Sequence, residues 1–168
     1  MLLQKEEKNW FREVFDKEYN FIRNYLYYLS GDIDLSEDLS QDTFTQLWQN
    51  RQTVNRESQR QFLFTIARNL FLKHYRHQKI KFNFINSLFS ENETETPEFK
   101  LELKEYNQQI QGVLSAMPEK TRAIFLMSRI DLMSYTEIAA NLGISNKAVE
   151  KHVSKALSIL RTKIGRKL

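Results

Sequence analysis

Hydrophobic residues recur every three or four positions through most of this chain, which is the pattern of helices with one buried face. The first such stretch runs from about Glu6 to Ser30, and Gly31 follows it, as glycine often follows the last turn of a helix. Its apolar positions are Trp10, Phe11, Val14, Phe15, Phe21, Ile22, Tyr25, Leu26 and Leu29. The pattern predicts a long first helix, with either a break or a continuation at Tyr19–Asn20.

Residues 34–51 repeat the helical pattern with a distinctive polar face. Ser36 is the predicted N-cap, because a serine hydroxyl can accept from a free amide of the first turn. The apolar stripe consists of Leu39, Phe44, Leu47 and Trp48. The opposite face is acidic and polar, and consists of Asp38, Gln41, Asp42 and Thr45.

A third helix is predicted within residues 60–81, after a polar loop at 51–59. Basic side chains cover the surface that its apolar stripe leaves free, and they are Arg60, Arg68, Lys73, Arg76, Lys79 and Lys81. Aromatic residues interleave with them, a combination that suits contact with unstacked bases as well as phosphates. Phe62 and Phe71 are expected in the core, whereas Phe64 and Tyr75 could face either the core or a nucleic acid.

The helical pattern resumes after Phe99 and is interrupted at Pro118. The predicted elements are a helix over residues 101–114, a helix over Thr121–Asp131, a short helix opened by a capping box of Ser134 and Glu137, a turn at Gly143–Ser145, and a last helix from Asn146 to about Ile164.

These elements predict an all-α protein of two small helical domains joined by a flexible acidic linker. The expected domains are residues 1–81 and 100–168, and residues 82–99 are the expected linker. The stretch 82–89 is too apolar for a free linker, and it could dock on one of the domains or on a partner. Four glycines and two prolines in the whole chain agree with a helical fold, because few tight turns can be built from them.

Composition removes several classes of protein. The chain has no cysteine, which excludes disulfides and thiolate metal sites. The N-terminal residues lack the apolar core of a signal peptide, and no stretch approaches the ~20 apolar residues of a membrane span. The sequence therefore predicts a cytoplasmic protein without membrane insertion.

The net charge of +4 is distributed unevenly. Residues 51–81 hold eight basic side chains and one acidic, and residues 100–168 hold twelve basic and six acidic. Residues 82–99 between them hold four acidic side chains and none that is basic. Two basic blocks suggest two places where nucleic-acid phosphates are neutralised, although such charges can also simply solvate helix faces.

Residues 134–161 have the pattern of a helix-turn-helix, in which a short capped helix, a glycine turn and a longer basic helix follow one another. The second helix of this motif lies in the DNA major groove. Val149 and Val153 are expected to face the core. The expected DNA-facing residues are Ser145, Asn146, Lys147, Glu150, Lys151, Ser154 and Lys155. Lysines suit phosphates, while Asn146 and Glu150 could read adenine and cytosine. The alternative is a helical hairpin with a solvated basic face.

At this point the chain resembles the extracytoplasmic function group of sigma-70 family factors. The run YLSGDIDLSEDLSQDTFTQLWQNR is similar to the family motif that docks on core RNA polymerase. The resemblance places Asp38, Gln41, Asp42, Thr45 and Trp48 at or beside that docking surface. The run RQFLFTIARNLFLKHYR resembles the helix that grips the promoter −10 element as single-stranded DNA. The residues expected there are Arg51, Asn55, Arg60, Arg68, Asn69, Lys73 and Arg76.

The C-terminal run MPEKTRAIFLMSRIDLMSYTEIAANLGIS and the helix after it resemble the family region that reads the −35 element in duplex DNA. The resemblance covers roughly residues 15–163, except the linker. It implies a sigma factor that binds core polymerase and promoter DNA and that an anti-sigma factor can hold inactive. Lys73, His77 and Ala148 depart from the family pattern, which affects promoter details.

Three other functions explain fewer features of the sequence. A stand-alone helix-turn-helix regulator would leave the acidic second helix and the basic third helix without a role. A helical adaptor that binds only protein would not explain the two basic blocks. An enzyme is not indicated, because His74, His77 and His152 have no nucleophile motif or phosphate-binding loop with them. His74 and His77 are three positions apart and could touch one cation, but they lack acidic ligands nearby and are expected to be solvated or to face DNA. The sequence implies no catalytic residue, cofactor or metal site.

Overall fold

A computed structural model of the protein describes residues 2–75 and 108–164. Within these two ranges the chain forms helices and turns and no strand, which confirms the all-α prediction. The N-terminal half contains α1 (Leu2–Ser30), α2 (Ile33–Gln49) and α3 (Gln59–Tyr75). The C-terminal half contains α4 (helical at residues 108–116), α5 (Glu119–Arg129), α6 (Tyr135–Leu142) and α7 (Asn146–Ile164). The expected linker at 82–99 lies outside the described residues.

The start of α2 differs from the prediction. Asp32 is the N-cap, and its carboxylate accepts from the backbone N–H of Leu35 at 3.0 Å. Ser36 is buried one turn inside the helix, where its hydroxyl donates to the carbonyl oxygen of Ile33 at 2.7 Å. The prediction of Ser36 as N-cap was therefore wrong, because Asp32 follows the left-handed Gly31 directly and captures the first free amides.

In the N-terminal half α1, α2 and α3 all pack against one another around a core of aliphatic and aromatic side chains. Ile22, Leu26, Leu47 and Leu63 are completely buried. Phe64, for which the sequence left two roles open, is a core residue whose ring lies 5.1 Å from that of Tyr25. Each such side chain contributes about 1.5–3 kcal/mol by leaving water. The side chain of Tyr75 is outside the described part of the structure.

The two halves pack against each other, with α1 on α5 and α3 on α6. Arg122 of α5 is buried, and its Nε and Nη2 donate to the carbonyl oxygens of Tyr28 and Leu29 at 2.8 and 2.9 Å. Asp131 accepts from Asn24 Nδ2 at 2.9 Å and from the Tyr28 hydroxyl at 3.1 Å. The end of α1 is therefore held by charged side chains of the C-terminal half.

Candidate functional site

The helix pair α6–α7 begins with the predicted capping box. Glu137 N donates to Ser134 Oγ at 3.2 Å, and Ser134 N donates to Glu137 Oε2 at 2.8 Å. This second bond, together with one from the Ser134 hydroxyl, lowers the pKa of the Glu137 carboxyl. Two amides that the helix cannot satisfy are thus paired, which fixes where α6 starts.

The turn between α6 and α7 is also the predicted one. Gly143 has the left-handed φ of 62°, and the N–H of Ile144 donates to the carbonyl oxygen of Ala139 at 3.0 Å. Ser145 Oγ accepts from Ala148 N at 3.2 Å, as expected of the N-cap of α7. Asn146 Nδ2 donates across the turn to Thr136 Oγ1 at 3.4 Å. These local bonds set the angle between the two helices.

Helix α7 has one buried face and one exposed face. Val149 and Val153 are 0% and 2% exposed and pack in the core, as predicted. The opposite face is exposed and consists of the seven residues expected to face DNA, namely Ser145, Asn146, Lys147, Glu150, Lys151, Ser154 and Lys155. The arrangement is that of a recognition helix whose N-terminal turns are free to enter a major groove.

His152 occupies an unexpected place beside this exposed face. Its Nδ1 lies 3.0 Å from Oγ1 of the buried Thr121 of α5, so the half-buried ring links two helices. Burial lowers the pKa of His152, and Lys120, Lys155 and Lys151 lower it further. Sequence reasoning did not find this contact, because the spacing of residues along one helix does not reveal a partner 31 positions away.

The polar face of α2 is exposed as predicted. Asp38, Gln41, Asp42 and Thr45 all project into solvent. Trp48 is half-buried at the end of this face, where the Phe11 ring lies 5.2 Å away and the Arg51 guanidinium lies 4.5 Å above the indole.

An open groove of about 670 Å³ runs along the same surface between α1 and α2. Its aromatic floor is formed by Phe11, Phe15, Phe44 and Trp48, and Lys8 and Arg12 stand at the edge of α1. Sequence reasoning missed this groove, because it depends on how α1 crosses α2. The acidic face of α2 is thus bordered by an apolar surface.

The residues expected to bind the −10 element divide into two groups. Asn55, Arg68, Asn69 and Lys73 are exposed. Arg51 and Arg60 instead pair with acids of α1: Arg51 Nε lies 2.9 Å from Glu7 Oε2, and Arg60 Nε lies 2.9 Å from Glu18 Oε2. Arg76 is not among the described residues.

The ion pair of Arg60 is the more buried of these two. Glu18 is 3% exposed, and burial raises the pKa of its carboxyl while Arg60 opposes that rise. The Arg60 guanidinium also lies 4.8 Å above the Phe21 ring. In this structure Arg60 therefore contacts both a buried carboxylate and an aromatic ring of α1.

Among residues 2–75 and 108–164, no helix is long and apolar enough to cross a membrane. Across the same part of the chain, no three His, Cys, Asp or Glu side chains converge as the ligands of a metal ion would.

Comparisons with known proteins agree with this geometry. The family model for sigma-70 region 2 matches residues 14–80, and the model for sigma-70 region 4 matches residues 107–160. The ferric citrate uptake sigma factor FecI of Escherichia coli K12 is 31% identical over 124 residues, which are 73% of this chain and 72% of that protein. The ECF RNA polymerase sigma factor SigM of Bacillus subtilis is 27% identical over 137 residues, 79% of this chain and 82% of that protein.

A solved structure has the same fold. It is the sigma factor RpoE of Bartonella quintana in complex with the anti-sigma factor NepR, with a TM-score of 0.61 at 22% identity over 94% of this chain and 98% of that one. Two family regions in order, and a relative of 31% identity matched over most of both chains, establish the family. This chain belongs to the extracytoplasmic function group of the sigma-70 family and is an RNA polymerase sigma factor, a transcription initiation factor.

Proposed function

We propose that the two halves of the chain divide the work of a sigma factor. Residues 1–81 bind core RNA polymerase and the −10 element, residues 100–168 bind the −35 element as duplex DNA, and residues 82–99 link them. The observation that carries this proposal is the exposed polar face of α7, which lies opposite the buried Val149 and Val153 in a capped helix-turn-helix. A helix presented in this way can insert its first turns into a major groove.

The proposed −35 contacts divide by chemistry. Lys147, Lys151 and Lys155 follow one another at intervals of four and neutralise phosphates. Asn146 and Glu150 lie in the first two turns of the helix and read base edges, since an amide can pair with adenine and a carboxylate can accept from cytosine. Ser145 and Ser154 complete the exposed face.

The proposed polymerase-docking surface is the exposed face of α2 formed by Asp38, Gln41, Asp42 and Thr45, with Trp48 at its end. Its support is the combination of exposed carboxylates with the neighbouring aromatic groove. Interfaces that bind tightly join such apolar anchors to a polar rim. Core polymerase is the partner that this surface fits in a sigma factor.

The proposed −10 surface is the basic side of α3 together with the loop before it. Arg68, Asn69 and Lys73 are exposed on the helix, and Asn55 is exposed in the loop. Arg51, Arg60 and Arg76 complete the proposed set. Contact with phosphates and with unstacked bases would offset part of the few kcal/mol that unstacking each base step costs.

In this proposal the chain binds core polymerase and positions it on promoter DNA. The polymerase carries out catalysis, and no cofactor is bound to this chain. We place its action in the cytoplasm with RNA polymerase. The solved structure of similar fold contains an anti-sigma factor. We propose a partner of that class here as well, because exposed docking faces on α2 and α7 give such a protein surfaces to cover.

Charge reversal at Asp42 tests the docking assignment. Asp42→Lys should weaken binding to purified core polymerase at least tenfold, because it places a cation in the middle of an acidic face. Asp16→Lys makes the same change of charge at an exposed position of α1 outside that face and should leave affinity within twofold. Binding is measured by titrating labelled protein with core polymerase. Equal affinities for the two variants would show that docking uses another surface.

A further inference from the structure

The loop between α2 and α3, residues 50–58, is held at both ends by side chains of α1. At its start, Arg51 Nε lies 2.9 Å from Glu7 Oε2. Immediately after the loop, Gln59 Oε1 accepts from the indole N–H of Trp10 at 2.7 Å. Glu7 and Trp10 are three positions apart, which places them on one face of α1. One helix face therefore fixes both ends of the loop.

The contact with Glu7 immobilises the guanidinium of Arg51. While Nε donates to Glu7, Nη1 donates to the carbonyl oxygen of Trp48 at 3.0 Å, and the guanidinium carbon lies 4.5 Å from the centre of the Trp48 ring. A planar group with two directed bonds and a ring contact retains little freedom. The side chains of Arg51 and Glu7 are 27% and 21% exposed, and ion pairs this close to solvent contribute little to stability. The pair therefore fixes the loop more than it stabilises the fold.

The contact with Trp10 joins two points of the chain. Trp10 is buried, so its indole N–H needs a hydrogen-bond acceptor, and Gln59 supplies it. The guanidinium of the exposed Arg56 lies 5.3 Å from the centre of the Trp10 ring, within the range of a cation–π contact. Trp10 thus contacts the loop at Arg56 and the first residue of α3 at Gln59.

Between these contacts the loop is folded on itself. The N–H groups of Thr53 and Val54 donate to the carbonyl oxygen of Asn50 at 3.0 and 2.9 Å. The N–H of Glu57 donates to Asn55 Oδ1 at 2.9 Å, and Asn55 itself is exposed. The Nδ2 group of an asparagine carries two donors, so Asn55 can still donate to a base edge from this position.

Order in the loop before DNA binds affects both affinity and base selection. A flexible loop has to be ordered when DNA binds, and the entropy that it loses weakens binding. A side chain distinguishes one base from another only when its polar atoms are held in a fixed position by the residues around it. The contacts with Glu7 and Trp10 supply that fixed position for Asn55.

We propose that Glu7 and Trp10 are positioning residues for promoter recognition, which hold the loop at 50–58 so that Asn55 meets one unstacked base of the −10 element. Neither residue belongs to the proposed DNA-binding set, and both act through the residues that they hold. The inference rests on the proposed function, because it requires that the loop and α3 form the −10 surface.

Base discrimination by the holoenzyme tests this role. Core polymerase with the full chain is titrated against labelled single-stranded oligonucleotides that carry the −10 segment of a promoter located by mapping transcript 5′ ends. Each position carries each of the four bases in turn, and fluorescence anisotropy gives the affinities. At a position that the protein reads, the preferred base is favoured by about fivefold or more.

Two variants should reduce this preference at one −10 position to about twofold or less. Glu7→Ala removes the acceptor of Arg51 Nε. Trp10→Phe keeps an aromatic ring but removes the donor to Gln59.

Two further variants separate positioning from general stability. Glu7→Gln keeps an oxygen that can accept from Arg51, and it should retain most of the preference. Glu6→Ala removes the neighbouring exposed carboxylate and should behave like the unmodified chain. Binding to duplex DNA that carries the −35 element should change little in all four variants, because that surface lies on α7.

An unchanged −10 preference in both Glu7→Ala and Trp10→Phe would overturn the inference. An equal loss of −10 and −35 binding would overturn it as well, because it would indicate a general loss of structure. If the unmodified chain itself shows no preference at any −10 position, the proposed function of this surface fails instead.

Discussion

Arg122 donates from Nε to the carbonyl oxygen of Tyr28 at 2.8 Å, although 94 positions separate the two residues in the chain. The same guanidinium donates to Leu29 and, through Nη1, to the carbonyl oxygens of Leu114 and Met117 at 3.2 and 3.3 Å. One side chain therefore satisfies carbonyl groups at the end of α1 and at the end of α4. Such groups would otherwise be buried without partners.

Replacement of Arg122 should destabilise the whole protein. Arg122→Met keeps an apolar stem in the buried position but leaves the carbonyl oxygens of α1 and α4 without their donor. We expect the free energy of unfolding to fall by about 3 kcal/mol, since each bond to a charged group contributes roughly 1.5–3 kcal/mol and partial relaxation offsets some of the loss. Urea denaturation followed by circular dichroism measures it.

The control for this variant is Arg129→Met at the end of the same helix, where the side chain is exposed. It should change stability by no more than about 0.5 kcal/mol. Equal effects of the two substitutions would show that the buried contacts of Arg122 contribute little.

Salt dependence tests the phosphate contacts proposed for α7. Lys151→Glu should weaken binding to duplex promoter DNA by about tenfold near 0.1 M salt and should reduce the slope of log K against log salt by about one. Lys17→Glu makes the same change of charge on an exposed position of α1 and should preserve the slope. Fluorescence anisotropy at several salt concentrations gives both quantities. An unchanged slope for Lys151→Glu would show that Lys151 does not contact a phosphate.

Two turn residues have a left-handed backbone conformation, and substitutions at them should change stability in opposite directions. Gly143→Ala should cost about 1 kcal/mol, because φ is 62° there and the added Cβ would meet only Gln61 Nε2 at an ordinary 3.6 Å. Leu132→Gly should stabilise by up to about 1 kcal/mol, because Leu132 has φ of 53° and is 82% exposed.

Gly112 is the control for these two changes, since it lies in helical α4 and an added Cβ would meet no other part of the protein within 4 Å. Gly112→Ala should stabilise by about 1 kcal/mol through helix propensity alone. Thermal unfolding of the three variants supplies the comparison. A Gly143→Ala protein as stable as the parent would contradict the left-handed turn.

The pH dependence of stability should contain a contribution from His152. Burial and three lysines lower its pKa, so the neutral ring is the form that the fold favours. Stability from this group is present above the ordinary histidine pKa and is lost as pH falls through that range toward the lowered value. His152→Asn retains a polar group near Thr121 but does not titrate.

Unfolding of both proteins between pH 7.5 and 5 isolates this contribution. The parent should lose more stability than His152→Asn as pH falls, while carboxylates affect the two proteins equally. Parallel curves would indicate that the contact with Thr121 does not distinguish the two protonation states of His152.

The sequence alone was sufficient to predict the parts of the structure that depend on hydrogen bonds between nearby residues. Ser134, Glu137, Gly143 and Ser145 were predicted to cap and turn the α6–α7 pair, and the structure confirms each, because every partner lies within a few residues. The burial of Val149 and the exposure of the polar face follow from helical periodicity in the same way. The all-α class followed from the same reasoning.

Contacts between distant residues were beyond sequence reasoning. The sequence predicts Ser36 as the N-cap of α2, since serine is a good cap, but the turn at Gly31 places Asp32 there first. The pairing of Arg60 with Glu18 depends on how α1 crosses α3. The contact of Arg122 with α1 likewise depends on tertiary packing, which periodicity does not encode.

Transcription in vitro shows whether this protein directs RNA polymerase to promoters. Core RNA polymerase from the source organism is incubated with sheared genomic DNA, with and without this protein, and transcript 5′ ends are mapped. We predict new discrete start sites that share two upstream motifs and that disappear with Asp42→Lys and with Lys151→Glu. The absence of new start sites, while the protein still binds duplex DNA, would contradict sigma-factor function and indicate a stand-alone regulator.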